Sequence, residues 1–227
     1  MNKRKMPVKS IKPPKFPKQP LEKGLPEDSL LDRAYCAQRA LSHDDFTRLV
    51  AERVAFDQVQ FQQVHLEKTH FKKAQILDSR FTVCDFANAE WPEASLSRVE
   101  LFGCHLTGWQ CSEAQLQDVL FKECRGSFAQ FAFATLKAVR FEDCELSEVN
   151  FLNVDLSSVT FVNCDLNHAD LTGTKLAGID LRGCKIDGVR VGPQELKGAI
   201  IDPNQALAFV RSMGINVFAN DGREDYA

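Results

Sequence analysis

The sequence predicts an all-β solenoid: a parallel β-helix of about seven four-sided coils, closed by a short C-terminal helix. Three observations predict it. Large apolar residues recur at every fifth position, small or β-branched residues recur two positions before each, and both series sort into columns of like residues every twenty positions.

The large series runs from Phe56 and Phe61 through Leu96, Leu101 and Leu106 to Leu196 and Ile201; of its 30 sites only Cys111 and Gly126 are not large and apolar. The small series runs from Val54 to Ala199 and is broken only by Trp109 and Gln194. A period of five fits neither the 3.6 of a helix nor the 2 of an ordinary strand. It fits a chain that turns a corner every five residues, each side pointing one large and one small residue inward. The twenty-residue columns make four such sides one coil. Leu96, Leu116, Leu136, Leu156, Leu176 and Leu196 form one column, and Phe121, Phe141 and Phe161 another. Val99, Val119, Val139 and Val159 form a third. With neighbouring strands ~4.8 Å apart, seven coils give a rod of roughly 35 Å.

The series divides the chain into a leader (1–26), an N-terminal cap (27–50), the repeat (51–201) and a C-terminal segment (202–227) that serves as cap or dimerisation element. Leu41 and Phe46 keep the spacing, but Arg39 and Asp44 would then point inward, which is costly for unpaired charges. Hence the cap assignment. At the other end, Asp202-Pro203-Asn204-Gln205 reads as N-cap, first helical proline and capping-box glutamine. The helix from Ala206 to Met213 offers Leu207, Phe209, Val210 and Met213, and Gly214 stops it. Ile215, Val217 and Phe218 read as a short apolar strand.

Charge is uneven. Residues 1–23 hold eight Lys or Arg and one acid, a local +7 that leaves −10 on the rest of a chain of net charge −3. Six of the nine prolines fall within the first 26 residues, so the leader favours extended polyproline II geometry. It reads either as a loosely draped tail or as a basic arm that contacts an acidic surface. No apolar run approaches the ~20 residues needed to cross a bilayer. No signal peptide is expected either, and free cysteines fit a reducing, cytoplasmic home.

No catalytic site, cofactor site or metal site is expected. Cys84, Cys104, Cys124, Cys144, Cys164 and Cys184 form an inward column, where a thiol acts as a small apolar residue. Successive members lie one strand spacing apart in the same orientation, a poor geometry for disulfides. A C-x-x-C pair at zinc-ligand spacing is absent. His105 shares an outward column with Asp85, Arg125, Glu145, Asp165 and Lys185, a solvated charge ladder rather than an acid–base pair.

Two surfaces are candidates for contact. Leu120, Phe128 and Phe133 sit at outward positions and suggest an apolar patch or a local bulge. Nearby, Trp109 is too large for its inward site, and its indole is expected to fill the volume left by Cys111 and Gly126. From Phe141 to Thr174 the charges are all acidic: Glu142, Asp143, Glu145, Glu148, Asp155, Asp165 and Asp170.

Ala169-Asp170-Leu171-Thr172-Gly173, Cys164-Asp165-Leu166-Asn167-His168, Val154-Asp155-Leu156-Ser157-Ser158 and Cys84-Asp85-Phe86-Ala87-Asn88 follow an A-[DN]-[LF]-x-x pattern. In this the chain resembles the pentapeptide-repeat family over about two thirds of its length. The resemblance implies a right-handed quadrilateral β-helix and two functional readings. One is a non-enzymatic, rigid protein-binding scaffold. The other is a DNA mimic that binds a type II topoisomerase such as DNA gyrase and protects it from quinolone-like inhibitors or toxins, a form of antibiotic resistance. That role needs a dimeric rod with a continuous acidic surface in place of DNA phosphates. Arg140, Lys175, Arg182, Lys185 and Arg190 interrupt the acidic stretch, and no large loop is inserted between coils. The expected partner is another protein, with a homodimer through the C-terminal segment plausible and no direct nucleic-acid binding by the repeat.

Overall fold

Parallel pairing at a constant offset of twenty residues builds the molecule. Ser95 pairs with Gln115, Gln115 with Thr135, and Thr135 with Asp155, each in the next coil. The computed structural model describes residues 10–25, 32–212 and 214–217. They form about seven coils and one helix, α1 (Pro203–Ser212). No helix among the described residues is long and apolar enough to cross a membrane.

The register stacks like on like. Leu96, Leu116, Leu136 and Leu156 are direct partners, as are Val99, Val119 and Val139. Phe121, Phe141 and Phe161 stack with centroids 4.7 and 5.2 Å apart and planes within 8° and 6°. Each of these paired and stacked residues is buried, so each coil adds a closed layer of apolar side chains. At ~25 cal/mol per Å² of apolar surface removed from water, that stacking is the main stabilising term.

The corners carry the backbone cost. From Cys36 to Ile186 the residue two places after each inward series residue turns the chain with a positive φ, and its non-glycine examples lie between 46° and 63°. Asn, Asp and Gly suit this left-handed region, and Gly173, Gly178, Gly183 and Gly188 occupy four successive corners. Val83 does not suit it. A β-branched side chain at φ 53° that remains 57% exposed is strained without a packing gain. Val83→Asn is therefore expected to stabilise the protein by about 1 kcal/mol, seen as a melting temperature higher by roughly 2–4 °C.

The five-residue build extends below the expected repeat boundary. Cys36, Leu41 and Phe46 are buried, Arg33, Gln38, His43 and Arg48 form corners, and Tyr35–Ala37 and Arg39–Ser42 pair with residues of the next coil. Residues 32–50 are thus a coil in form and a cap in position. Arg39 does not sit in the core as an unpaired charge: its guanidinium bonds Glu22 at 2.8 Å. Glu22 and Lys23, in turn, pair with Arg39 and Ala40 beneath the coil.

At the C-terminal end the capping box forms as expected. The Asp202 carboxylate accepts the Asn204 and Gln205 amides, and Gln205 Oε1 accepts the Asp202 amide. The same Gln205 donates its side-chain amide to the carbonyls of Leu181 and Cys184, satisfying backbone groups of the last coils. Phe209 is buried against the core. Leu207 instead faces solvent, and Ile215 and Val217 are exposed and form no strand, contrary to the expectation. The helix covers the end of the core mainly with Phe209, helped by half-buried Ala208 and buried Gln205, and leaves Leu207 on its outer side. Met213 and Phe218 lie outside the described residues.

Candidate functional site

All eight cysteines are free and buried. Along the column the thiols face backbone carbonyls: Cys124 Sγ lies 3.4 Å from the oxygens of both Leu101 and Lys122, and Cys144 lies 3.5 and 3.3 Å from those of Phe121 and Glu142. Ser79 and Thr69 use the equivalent small inward position on other sides of the coil and donate to the Leu77 and Leu66 carbonyls. The column is therefore a polar seam that ties each coil to itself and to its neighbour. Burial pushes the Cys104 and Cys111 thiols up, away from the reactive thiolate. Among the described residues no group of three or more His, Cys, Asp or Glu is placed to hold a metal ion.

The seven candidate acids are spread over the sides and corners of the rod, and cations neutralise several. Glu142 meets Lys122 at 3.2 Å and Arg140 at 2.9 Å, Asp165 meets Lys185 at 3.1 Å, and Asp170 meets Arg190 at 3.0 Å. Glu145 stands 3.9 Å from Arg125. All but the Arg140 contact join residues twenty apart, one coil above the other. The Asp170 carboxyl is held below its usual range: burial alone would raise it, and the Thr172 hydrogen bonds and Arg190 reverse that. Asp143 accepts from the Asn163 amide, and Asp155 from the Ser157 hydroxyl. Glu148 is exposed at a corner.

The outward ladder is built as expected. His105 bonds Asp85 at 3.1 Å, and the Arg125–Glu145 and Lys185–Asp165 pairs continue it along one side. It is exposed throughout much of its length and encloses no cleft.

The apolar trio splits. Phe128 and Phe133 occupy successive corners of one coil, both with φ 61°, and are 49% and 57% exposed. Leu120 lies on a different side, half-buried beside Ser10 and Ile11 of the leader. No bulge separates them, because the ladder continues through Gly126, whose amide donates to Glu145 O at 2.7 Å, and Phe128, whose amide donates to Ser147 O at 3.0 Å. Trp109 is fully buried among Phe86, Trp91, Phe121 and Phe131, with ring centroids 5.5 to 6.4 Å away. The space at Gly126 itself is bounded by Leu146 and Leu106 of the adjoining coils.

The leader supplies contacts that the sequence did not locate. Residues 10–18 run against the stacking direction along one corner column. The Lys15 amide donates to Asp78 Oδ1 at 2.9 Å, and the Lys12 amide donates to Asp118 Oδ1 at 3.2 Å. Between the two carboxylates Arg98 forks onto Asp78 with two bonds of 2.6 Å. Arg80 sits under the Phe16 ring at 5.6 Å and by Phe102 at 5.7 Å.

A coil of four five-residue sides, uninterrupted over the repeat, is the defining build of one family. The family model described as a pentapeptide repeat region matches residues 53–125, 74–151 and 134–204, well over half of the chain. The chain belongs to the pentapeptide-repeat family. Among solved structures, this pentapeptide-repeat chain is similar to a trypsin-treated form of QnrB1, a plasmid-mediated fluoroquinolone resistance protein. The identity is 18%, the TM-score 0.41, and the match covers 87% of this chain and 96% of that one. It is also similar to HetL, a pentapeptide-repeat protein involved in heterocyst differentiation regulation in the cyanobacterium Nostoc sp. strain PCC 7120. There the identity is 19%, the TM-score 0.36, and the coverage 75% and 90%. At these values neither likeness bears on function. No curated protein sequence matches the chain.

Proposed function

We propose that the protein is a non-enzymatic, rigid scaffold that binds another protein through the Phe128–Phe133 corners. The supporting observation is that two aromatic side chains stand about half exposed on strained, left-handed backbone. The repeat needs no side chain there, since glycine fills equivalent corners elsewhere. Exposed Glu113 and Glu148 lie at the same two corners in the adjoining coils. The complementary partner surface is an apolar hollow with a basic rim.

The phosphate-mimic reading is weaker. A duplex mimic needs uncompensated acids in a continuous stripe, and ion pairs between coils neutralise four of the seven here. Pairing of two copies through exposed Leu207, Ile215 and Val217 would add length to such a rod, and sedimentation over a concentration series tests it.

The test is a quantitative pull-down with Phe128→Asn/Phe133→Asn, beside a gyrase supercoiling assay with and without a fluoroquinolone. Asparagine suits left-handed backbone, so the variant should melt no lower than the parent while losing its partner. Retained capture of the same partner by that variant overturns the corner assignment. Protection or inhibition of gyrase that survives the Phe substitutions but not Glu145→Lys/Glu148→Lys/Asp165→Lys would favour the mimic instead.

A further inference from the structure

The leader is not merely draped on the coils; its spacing matches theirs. A polyproline II strand advances ~3.1 Å per residue with three residues per turn, so Lys12 to Lys15 spans about 9.3 Å. Asp78 and Asp118 belong to one corner column two coils apart, about 9.6 Å at the usual strand spacing. Three leader residues therefore bridge two coils with under half an ångström of mismatch. The exposure pattern has the same period: Ile11, Pro14 and Pro17 are half-buried, whereas Lys12, Lys15 and Lys18 are exposed.

Donor placement is equally selective. Pro13 and Pro14 have no backbone N–H, and the amides on either side of them, at Lys12 and Lys15, are the ones that meet the carboxylates. Both carboxylates belong to buried residues, at 4% and 5% exposure. Burial alone would raise the Asp78 carboxyl, but Arg98 and the Lys15 amide hold it below its usual range, so it stays charged. Phe16 adds an aromatic contact to the Arg80 guanidinium, which Glu100 fixes at 2.7 Å.

We propose that the Asp78–Arg98–Asp118 column is a peptide-binding groove that reads a basic polyproline II segment, and that the chain's own leader is its resident ligand. Carboxylates two coils apart select amides three residues apart, and the intervening residues must tolerate having no donor. Arg80 selects an aromatic residue next to the second amide. The Phe128 corner is diagonally opposite the groove and the Phe133 corner is one five-residue side away from it, so the two sites share no residue.

The full-length chain tests it directly. Trypsin can cut Lys15–Phe16, and seating in the groove should shield that bond. In Asp78→Gly/Asp118→Gly, which removes both acceptors but keeps a residue suited to positive φ, cleavage there should be at least tenfold faster with β-sheet circular dichroism unchanged. Equal cleavage rates in the two chains would overturn the proposal. A second variant, Lys12→Pro/Lys15→Pro, keeps polyproline II geometry and deletes the two amide donors together with two lysine charges. A fluorescein-labelled peptide of residues 10–20 should bind this vacated groove, bind the parent at least tenfold more weakly because the tethered leader competes at millimolar effective concentration, and not bind once both aspartates are also glycine. Binding to all three chains alike, or to none of them at millimolar peptide, would overturn the groove as a peptide site.

Discussion

Leu136→Asp is expected to abolish the fold. Leu136 is fully buried in a middle coil and is paired directly with Leu116 below and Leu156 above. A carboxylate there has leucine methyls on two sides and no cation within the column. Its desolvation cost of several kcal/mol is comparable to the whole stability of an ordinary domain. Coils interact only with their neighbours, so disruption in the middle separates two half-rods, each with an open apolar end. The expected result is insoluble protein, or soluble protein without the β signal and with a broad proteolysis pattern. Leu136→Ala, which creates a cavity without burying charge, should cost about 2–5 kcal/mol and remain folded. A soluble, cooperatively melting Leu136→Asp chain would refute the inward assignment of the column.

Trp109→Ala should be the most costly neutral truncation, about 3–5 kcal/mol in denaturant unfolding. The indole is in contact with four aromatic rings from neighbouring sides and coils, and its loss opens a cavity that stacked strands cannot close by shifting. The indole Nε1 is buried with no hydrogen-bond partner among the described residues. An unpaired buried donor carries a desolvation penalty of about 1–3 kcal/mol. Trp109→Phe removes that donor along with part of the ring volume, so the two effects offset and the cost should fall within about 1 kcal/mol of zero. Trp91, the other tryptophan, remains as the fluorescence reporter in both variants. A loss in Trp109→Phe in proportion to the ring volume it removes would show that volume alone matters and that the unpaired donor carries no penalty.

The coil and its columns were legible because one five-residue period governs them, and the helix because Asp202-Pro203-Asn204-Gln205 spells out its start. A buried residue in a solenoid must match its own neighbours twenty positions away, and that constraint is written into Leu136 as plainly as into Phe141. The lowest coil was harder to read because Arg39 occupies an inward series position; its charge is met by Glu22, a residue outside the period. The surfaces were less legible for a related reason. Leu120, Phe128 and Phe133 look alike as exposed apolar residues, but their positions within the twenty-residue coil put Leu120 on a side and the two phenylalanines at corners. The same arithmetic pairs Lys122 with Glu142 and Asp165 with Lys185, a signal available in the sequence that thins out the acidic stretch. The seat of the leader was hidden because its period is three, and it meets the coils only where the two spacings coincide.

That coincidence makes the leader a gauge of coil number. Removing one twenty-residue coil between Asp78 and Asp118 would bring the second carboxylate about 4.8 Å closer, opposite Pro13 and Pro14, neither of which has an N–H to offer. Adding one would carry it past Lys12 by about one and a half residues. A solenoid is otherwise free to lengthen or shorten by whole turns, since each new turn repeats the contacts of the last. Here growth or loss within that interval would leave the core intact and unfasten the arm, so the length of this part of the rod and the order of prolines in the leader can change only together.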